Sequence, residues 1–280
     1  MYLNYTIDEN IMQENQKRSI PMKTYEFDGE KYKTASSHQR EWGTSLISQL
    51  SLRGNEKILD LGCGDGSLTE QLSLLVPNGK VLGIDASIGM IKTAKKISGD
   101  NLEFVQMDIN NLNFSDEFDI IYSNAALHWV IDHHRLLHNS YTALKTDGII
   151  LWEFGSDGNT VNFLEIIQRN ITDNDYKDYF KNFEFPWFFP SKNQYEKMIA
   201  NVGYSDFTVT EVNRDKFFGT SDEMVRWIDQ PCIVPFIERI PDVLKDTFRK
   251  TVIAQMLEKT RQPDGTCFET FRRLQVYAKK

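Results

Sequence analysis

The stretch KILDLGCGDGS, residues 57–67, decides the fold, because a short apolar run leads into three closely spaced glycines and then into a helical pattern. KILDL predicts a buried strand over residues 57–61, and the spacing of apolar residues predicts a helix over 67–75. Glycines at such a turn let the backbone approach a ligand closely, and the first turn of the following helix offers unpaired N–H groups. This order of strand, glycine turn and helix is typical of a nucleotide-binding unit.

Strands and helices continue to alternate on the carboxyl side of this turn. The patterns predict strands at 80–84, 102–107, 118–123 and 148–154, and helices at 90–97 and 134–144. Later strands are predicted at 206–212 and 268–278. We therefore predict an α/β fold: a doubly wound, Rossmann-like sheet of seven mostly parallel strands, with a helical cap from N-terminal and C-terminal-half insertions.

Three regions are expected along the chain: a polar N-terminal arm at 1–29, a nucleotide-binding core with an N-terminal cap helix at 30–155, and the remaining strands with cap insertions at 156–280. We expect residues 1–24 to be loosely held and assign them no function. The segment from 156 to about 200 is expected to be helical, and seven of the twelve residues at 179–190 are aromatic. A further helical region at 221–262 is expected to break at Pro231, Pro235 and Pro241.

Composition excludes several classes of protein. The 280 residues are 40% hydrophobic, which argues against disorder, and the net charge of −8 disfavours a nucleic-acid partner. Three cysteines at unrelated spacings predict neither disulfides nor a metal site. With neither a signal peptide nor a membrane span in the pattern, we expect a cytoplasmic protein without membrane or nucleic-acid partners, a monomer or homodimer, acting on a small molecule.

The residues around the glycine turn favour one cofactor. Asp85 follows Gly66 by nineteen residues and ends the second strand, where a carboxylate can accept hydrogen bonds from both ribose hydroxyls. A dinucleotide site would require a glycine at the position of Ser67. Asp60, two residues before the first glycine, would repel a pyrophosphate but suits a cationic amino-acid head group. This chemistry indicates S-adenosylmethionine.

The acidic-x-Gly-x-Gly-x-Gly pattern resembles the first motif of the class I methyltransferases, and GIDASIGMI (83–91) and QMDI (106–109) resemble their second and third motifs. By this resemblance, Asp60 lies near the methionine amino group, Asp85 holds the ribose, and Met90 packs on adenine. The alternative interpretation is a tight turn with surface acids at strand ends. The predicted cofactor-binding residues are Asp60, Gly62, Cys63, Gly64, Gly66, Asp85, Ala86, Met90, Asp108, Ile109 and Asn124, of which Asp108 and Ile109 meet the adenine edge.

The segment after the fourth strand bears on the methyl acceptor. It contains neither the Asn-Pro-Pro-Tyr used to methylate amino groups of bases nor the Pro-Cys used to methylate pyrimidine carbon. SNAALHWVIDHH (123–134) resembles the trans-aconitate methyltransferases and, more loosely, the juvenile hormone acid and malonyl-carrier-protein methyltransferases, which make methyl esters. WIDQPCIVPFIERI (227–240), PDG (263–265) and FRRLQVYA (271–278) extend the likeness to most of residues 30–280, although 160–195 matches weakly.

Three residues are predicted to serve the reaction: Gln39, His128 and Trp129. In the juvenile hormone acid enzymes a glutamine and a tryptophan hold the substrate carboxylate, and Gln39 and Trp129 occupy the matching places. Both side chains are N–H donors that orient a carboxylate without titrating. A carboxylate is ionised at neutral pH and needs no general base. His128 is a base for another acceptor, a hydrogen-bond donor of the pocket, or a structural histidine; His133, His134 and His138 are expected to be solvated.

One departure from the trans-aconitate pattern concerns Val234, which precedes Pro235 and Phe236 where that family tends to have an arginine. Together with the aromatic run, which either lines the substrate or packs the cap, this favours a less charged, more apolar acid. Arg226, Arg239, Arg272 and Arg273 remain candidates for pairing with an anion. Two alternatives stay open: transfer to a hydroxyl, amine or carbon with His128 as base, and a non-catalytic cofactor-binding or assembly protein.

Overall fold

The computed structural model describes residues 25–280, so the predicted arm over residues 1–24 lies outside the described part of the chain. Nine strands are present in it: β1 Lys57–Leu61, β2 Lys80–Asp85, β3 Leu102–Gln106, β4 Phe118–Asn124, β5 Leu144–Gly155, β6 Asp206–Asn213, β7 Lys216–Phe218, β8 Cys267–Glu269 and β9 Arg272–Lys279. Seven of them form one sheet in the order β3-β2-β1-β4-β5-β9-β6. Strands β1 to β5 pair in parallel and β9 is antiparallel to β5 and β6, which confirms the predicted α/β fold.

Ten α-helices accompany these strands in residues 25–280: α1 Gly29–Ala35, α2 Ser37–Ile47, α3 Ser67–Leu75, α4 Ile88–Ala94, α5 His133–Ala143, α6 Val161–Thr172, α7 Lys192–Ala200, α8 Ser221–Trp227, α9 Val234–Ile237 and α10 Asp242–Thr260. No helix in this range combines the length and apolar character needed to cross a membrane.

Both faces of the sheet are buried, as a doubly wound architecture requires. On one face Leu59 and Ile121 join a core that also contains Leu136 of α5. On the other face, Ile58 joins a core with Leu46 of α2. Successive strand residues therefore enter opposite cores, because side chains along a strand alternate between its faces. The carboxyl ends of the parallel strands are left at one edge, where ligands bind in open α/β sheets.

A separate hydrophobic cluster forms the cap from α2, α6, α8, α9, α10 and the small antiparallel sheet of β7 and β8. Trp42 of α2, Phe236 of α9 and Phe248 of α10 belong to it. Glu269 of β8 attaches this small sheet to α6, since its buried carboxylate accepts from the backbone N–H groups of Asn162 (3.2 Å) and Phe163 (3.0 Å). A buried carboxylate thus joins two elements of the cap, β8 and α6.

The predicted closing strand at 268–278 is wrong in detail, because the chain divides there into β8 and β9 in two different sheets. Thr270 and Phe271 separate them, and the Phe271 N–H donates to Asp215 Oδ1 at 2.9 Å instead of continuing one ladder. The three-residue strand β7 that pairs with β8 was not predicted. Hydrophobic pattern alone does not show that one apolar run serves two sheets.

The expectation of helix throughout 156–200 holds at its two ends only. A 3-10 turn occupies Lys177–Phe180, and the chain then runs without regular structure to Pro190. Pro186 and Pro190 keep the residues before them out of the helical region of backbone space. Of the three expected breaks further on, Pro241 stands immediately before α10 and Pro231 lies in a π-helical turn, Ile228–Cys232, whereas Pro235 lies within the first turn of α9.

Candidate cofactor and acceptor site

The glycine turn after β1 is tied to the neighbouring strand β2. The N–H groups of Gly62 and Cys63 both donate to the Ile84 carbonyl, at 2.8 and 2.9 Å. Gly62 has a φ of +71°, and a Cβ there would lie 2.2 Å from the Ala126 Cβ, so no larger residue fits. Gly64 has a φ of +56°, and a Cβ there would meet only Tyr32, at an ordinary contact distance of 4.0 Å. The turn therefore stays flat against the sheet and presents backbone at its carboxyl edge.

Asp85 stands at the end of β2 beside this turn. Its Oδ2 accepts from the Gly64 N–H at 3.0 Å and its Oδ1 accepts from the Ser87 N–H at 2.9 Å. Each oxygen uses one of its two lone pairs in this way and keeps the other for a ligand hydroxyl. Burial, together with the nearby charge of Glu26, raises the pKa of Asp85 to about 6. The geometry fits the predicted contact with both ribose hydroxyls.

Asp60 and Asn124 supply acceptors for a cationic group. Asp60 is 2% exposed and accepts from the Thr69 hydroxyl at 2.7 Å; burial and the charge of Asp85 raise its pKa to about 7. The Asn124 amide donates through Nδ2 to the Gln39 carbonyl at 2.8 Å, which leaves Oδ1 buried without a protein partner. A buried carboxylate and an unpaired amide oxygen suit the ammonium group of S-adenosylmethionine.

The remaining predicted cofactor residues occupy the same edge. Ala86 follows β2, Met90 is buried on α4, and Ile109 is 9% exposed after β3. Asp108 accepts from the Asn110 N–H at 2.8 Å and thereby caps a short 3-10 turn, so part of its carboxylate is already used. The Cys63 side chain packs among Ile91, Ala94 and Phe104, and a Cβ on Gly66 would lie 2.8 Å from the Phe104 ring. At both positions the side-chain direction points into packed protein and not towards a ligand space.

The three predicted acceptor-side residues lie on α2 and on the turn after β4. Gln39 Oε1 and His128 Nδ1 are both buried without a protein hydrogen-bond partner. The 3-10 turn Leu127–Trp129 carries His128 and Trp129, whose rings are 5.8 Å apart. Burial, with the charge of Arg273, lowers the pKa of His128 to about 3. This histidine is therefore neutral at physiological pH, and its unpaired nitrogen is left for a ligand.

Residues just before α1 cover this turn, which the sequence did not indicate. The rings of Tyr25 and Phe27 contact Trp129 at centroid distances of 5.7 and 5.5 Å. Between them, Glu26 accepts from the Ser87 hydroxyl at 3.1 Å and the Gly89 N–H at 3.3 Å at the start of α4. Residues 25–27 thus lie across both the acceptor side and the cofactor side.

The aromatic run at 179–190 divides between packing and the candidate site. Trp187 contacts Trp129 at 5.4 Å, and Phe189 contacts His128 at 5.7 Å. The indole N–H of Trp187 is buried without a partner. Three other members of the run, Phe180, Phe183 and Phe185, pack around Phe236 in the cap. Part of the run therefore packs the cap, as one interpretation expected, while Trp187 and Phe189 lie beside the candidate site, where lining of the substrate stays a prediction.

One histidine prediction is wrong. His133 was expected to be solvated, but it is 1% exposed and bonds to the Tyr195 hydroxyl and the Leu127 carbonyl, both at 3.0 Å. Position 133 is the first of α5, and its side chain turns inward to join the core beneath the acceptor turn. His134 and His138 are exposed as expected.

The four candidate arginines have different surroundings. Arg273 is 3% exposed and pairs with buried Glu153. Arg272 pairs with Asp215 at the surface, and Arg239 lies over the Phe183 ring at 5.4 Å. Arg226 is exposed. Two open surface depressions, one beside Leu257 and one beside Ile171, include none of the residues of the candidate site.

Comparison with known proteins agrees with this geometry. A family model described as "Methyltransferase domain" matches residues 59–152. An uncharacterized methyltransferase of Schizosaccharomyces pombe is 29% identical over 268 residues, covering 90% of this chain and 99% of the relative. The trans-aconitate 2-methyltransferase of Deinococcus radiodurans is 28% identical over 192 residues, covering 66% of this chain and 72% of the relative.

A solved structure, phosphoethanolamine N-methyltransferase 2 of Haemonchus contortus in complex with phosphomonomethylethanolamine and S-adenosylhomocysteine, has the same fold with a TM-score of 0.59. It is 17% identical, and the alignment covers 90% of this chain and 56% of that one.

Together with the glycine turn and Asp85, these matches make the chain a class I methyltransferase that uses S-adenosylmethionine. Within that class it resembles the trans-aconitate methyltransferases and, more loosely, the malonyl-acyl-carrier-protein methyltransferases. The alternative of a non-catalytic binding protein is set aside by the same matches.

Proposed function

We propose that this methyltransferase transfers its methyl group to the carboxylate of a small, largely apolar acid. The observation that carries the proposal is the absence of a suitable base among the histidines beside Trp129 and Gln39. The pKa values of His128 and His38 are both lowered to about 3, chiefly by burial. Neither histidine can efficiently take a proton from a hydroxyl or an ammonium group at neutral pH. An acceptor that is already ionised needs no such group.

In this proposal the protein binds the cofactor and the acceptor, orients them towards each other and excludes water from the site. Bound S-adenosylmethionine supplies an electrophilic methyl group on a positively charged sulfur. Gln39 and Trp129 donate hydrogen bonds to the acceptor carboxylate, and the rings of Tyr25, Phe27 and Trp187 surround Trp129. Orientation of two reactants in a dry site can contribute effective molarities of about 10⁵ M or more. No residue has to remove a proton during the transfer.

The direct test uses purified protein, cofactor labelled in its methyl group, and a panel of aliphatic and aromatic acids. We expect base-labile methyl esters as products. Transfer to amines, phenols or carbon acceptors alone would contradict the proposal.

A variant pair tests the assignment of Gln39. We expect Gln39→Ala to lower kcat/KM for the best acid about tenfold or more, because a hydrogen bond to a charged group is removed. Affinity for S-adenosylhomocysteine should stay unchanged, since the Gln39 carbonyl that holds Asn124 belongs to the backbone. Gln49→Ala, at an exposed position at the end of the same helical region, is the matched control.

A second candidate reaction uses His128 as base for a hydroxyl, amine or carbon acceptor; its unpaired Nδ1 is the observation in its favour. That reaction predicts that His128→Asn loses about 10²- to 10⁴-fold in turnover. We expect the variant instead to keep more than a tenth of wild-type kcat with the acid substrate. Rate measurements on both proteins at saturating cofactor decide between the two reactions.

A further inference from the structure

Arg273 of β9 is a buried arginine at the carboxyl edge of the sheet. It pairs in register with Gly155 of β5 and is 3% exposed. Its Nε donates to Glu153 Oε1 and its Nη2 donates to the Glu153 carbonyl, each at 3.0 Å. A buried ion pair of this kind is often no more stabilising than apolar residues of the same volume. Stability alone therefore does not account for an arginine here.

The charges around Glu153 do not cancel. Arg214 also donates to this carboxylate, at 3.3 Å to Oε1 and 3.1 Å to Oε2. Within this group of three side chains, two guanidinium groups and one carboxylate leave one excess positive charge. Glu153 is fully buried and Arg214 is 24% exposed, so this charge is only partly screened by solvent.

The excess charge lies against the turn that carries His128 and Trp129. The Glu153 carbonyl that accepts from Arg273 also accepts from the Ala125 N–H at 2.8 Å. Asn124 is the register partner of Glu153 and donates to the Gln39 carbonyl. A continuous row of contacts therefore runs from Arg273 through Glu153 and Asn124 to Gln39, across the ends of β9, β5 and β4.

Two buried histidines within electrostatic reach of the guanidinium each have a nitrogen without a hydrogen-bond partner. The Arg273 Nη1 donates none of the bonds to Glu153, so N–H groups remain for another acceptor. His38, which is 1% exposed, has a buried Nε2 without a partner, and the Nδ1 of His128 is in the same condition. Arg273 acts electrostatically on both histidines. Buried polar atoms without partners are rare in proteins, and a polar ligand group would satisfy them.

The walls of this region are aromatic. The Arg273 guanidinium lies 5.0 Å from the centre of the Trp42 ring, and Trp42 contacts Phe271 at 5.2 Å. Trp129, Trp187 and Phe189 form the side nearer the acceptor turn. One positive charge within aromatic walls complements one negative charge on an apolar body.

We propose that Arg273 anchors the acceptor anion and that Glu153, by cancelling one of two arginine charges, restricts the enzyme to acids with a single carboxylate. This inference rests on the proposed carboxylate acceptor and adds the residue that recognises it and the charge that it selects. Dicarboxylates and tricarboxylates would bring uncompensated negative charge into a buried site and are disfavoured.

The test measures binding to the full chain saturated with S-adenosylhomocysteine. The probes are acid, amide and diacid of matched size: octanoate, octanamide and octanedioate, with phenylacetate and phenylacetamide as an aromatic pair. We expect the wild type to bind at least one monoacid tenfold or more tightly than its amide, and octanoate more tightly than octanedioate. Wild-type protein without such a preference, including protein that binds none of the probes, overturns the inference.

Arg273→Met should abolish the preference for acid over amide, and Arg273→Lys should keep part of it. Arg272→Met is the matched control, since the neighbouring side chain pairs with Asp215 at the surface. Unchanged affinity for S-adenosylhomocysteine shows that each variant is folded. A preference that persists in Arg273→Met contradicts the assignment.

Glu153→Gln provides a readout that structural damage cannot produce. Removal of the carboxylate leaves two arginine charges, so we expect the affinity ratio of octanedioate to octanoate to rise at least fivefold. A purely structural Glu153 predicts weaker binding of both acids with an unchanged ratio, and that result would overturn its role in selection.

The two proposals fail in different ways. Acids that bind through Arg273 but yield no methyl ester would refute the proposed reaction and leave the anion anchor standing. Methyl ester formation with the same KM in wild type and Arg273→Met would refute the anchor and leave the reaction standing.

Discussion

Asp60 and Asp85 are two carboxylates at the same edge of the sheet. Burial and the charge of Asp85 raise the pKa of Asp60, and burial and the charge of Glu26 raise the pKa of Asp85. The pKa of Asp60 is about 7 and that of Asp85 about 6. Both are above the usual range for aspartate because burial disfavours the charged form. In the proposed binding mode a cationic ligand beside Asp60 would lower the pKa of this carboxyl group, because a nearby positive charge favours the carboxylate.

Cofactor affinity should therefore depend on pH. Protonated Asp60 and Asp85 must lose their protons to bind an ammonium group and ribose hydroxyls as carboxylates. We expect affinity for S-adenosylhomocysteine to be weak near pH 5, to rise through pH 6–7 and to level off above about pH 8. Calorimetry at pH 6.5 in buffers of different ionisation enthalpy should show proton release on binding.

The same two groups act on the stability of the ligand-free protein. A folded-state pKa above the unfolded value stabilises the fold at low pH, and this contribution is lost as the pH rises through about 6–7.

Asp60→Asn should flatten the pH dependence of cofactor affinity, whereas Asp100→Asn, at an exposed position, should not. A wild-type affinity that is constant from pH 5 to 8 would contradict this account.

At the residue scale, the sequence predicted local features better than distant pairs. Asp60, the glycine turn and Asp85 lie within one strand–helix–strand unit, so their spacing alone places them at one edge. Arg273 and Glu153 are 120 residues apart and meet because β9 runs antiparallel to β5. The sequence marked Arg273 as one of four candidates but gave no physical reason to prefer it.

At the element scale, the turn after β1 contains two glycines with the same backbone preference and different surroundings. Gly62→Ala places a Cβ 2.2 Å from Ala126 in addition to the left-handed strain. Gly64→Ala meets only the strain, because the nearest atom is 4.0 Å away on Tyr32.

We expect Gly62→Ala to lower the free energy of unfolding by roughly 2–4 kcal/mol. Gly64→Ala should lower it by about 1–2 kcal/mol. Urea unfolding of both variants measures the difference. Equal losses would show that contact with Ala126 does not constrain the turn.

Hydrophobic pattern predicted the first five strands to within a few residues at most ends, because the central strands β1 and β4 are buried on both faces and give continuous apolar runs. It failed where tertiary contacts decide the structure. Thr270 and Phe271 interrupt one apolar run because their backbone groups bond outside the strands. The Phe271 N–H donates to Asp215, the Thr270 N–H donates to the Glu269 carboxylate, and the Thr270 carbonyl accepts from the N–H of Thr160 at the start of α6. The aromatic segment before Pro190 follows the cap surface, which periodicity does not reveal.

On the scale of the whole molecule, one buried carboxylate joins the small β7–β8 sheet of the cap to α6. Glu269 is fully buried and accepts from Asn162, Phe163 and Thr270. Glu269→Ala would leave these N–H groups without a partner at the start of α6.

We expect Glu269→Ala to cost about 2–4 kcal/mol of unfolding free energy, because several buried donors lose their acceptor. Glu258→Ala, at an exposed position on α10, should change stability by about 0.5 kcal/mol or less. Thermal and urea unfolding provide the comparison. A stable Glu269→Ala protein would show that water replaces the carboxylate.

Residues 25–27 contact the start of α4 through Glu26 and the Trp129 ring through Tyr25 and Phe27. A ligand that orders α4 also orders residues 25–27 over Trp129, so the cofactor and the methyl acceptor should bind cooperatively. We expect each to raise the affinity of the other by one common factor, roughly 5- to 150-fold. At pH 8, where Asp85 is ionised with or without Glu26, Glu26→Ala should bring that factor towards one while each ligand, measured alone, binds as before. Unaltered cooperativity in the variant would mean that contacts other than those of Glu26 couple the cofactor side to the acceptor side.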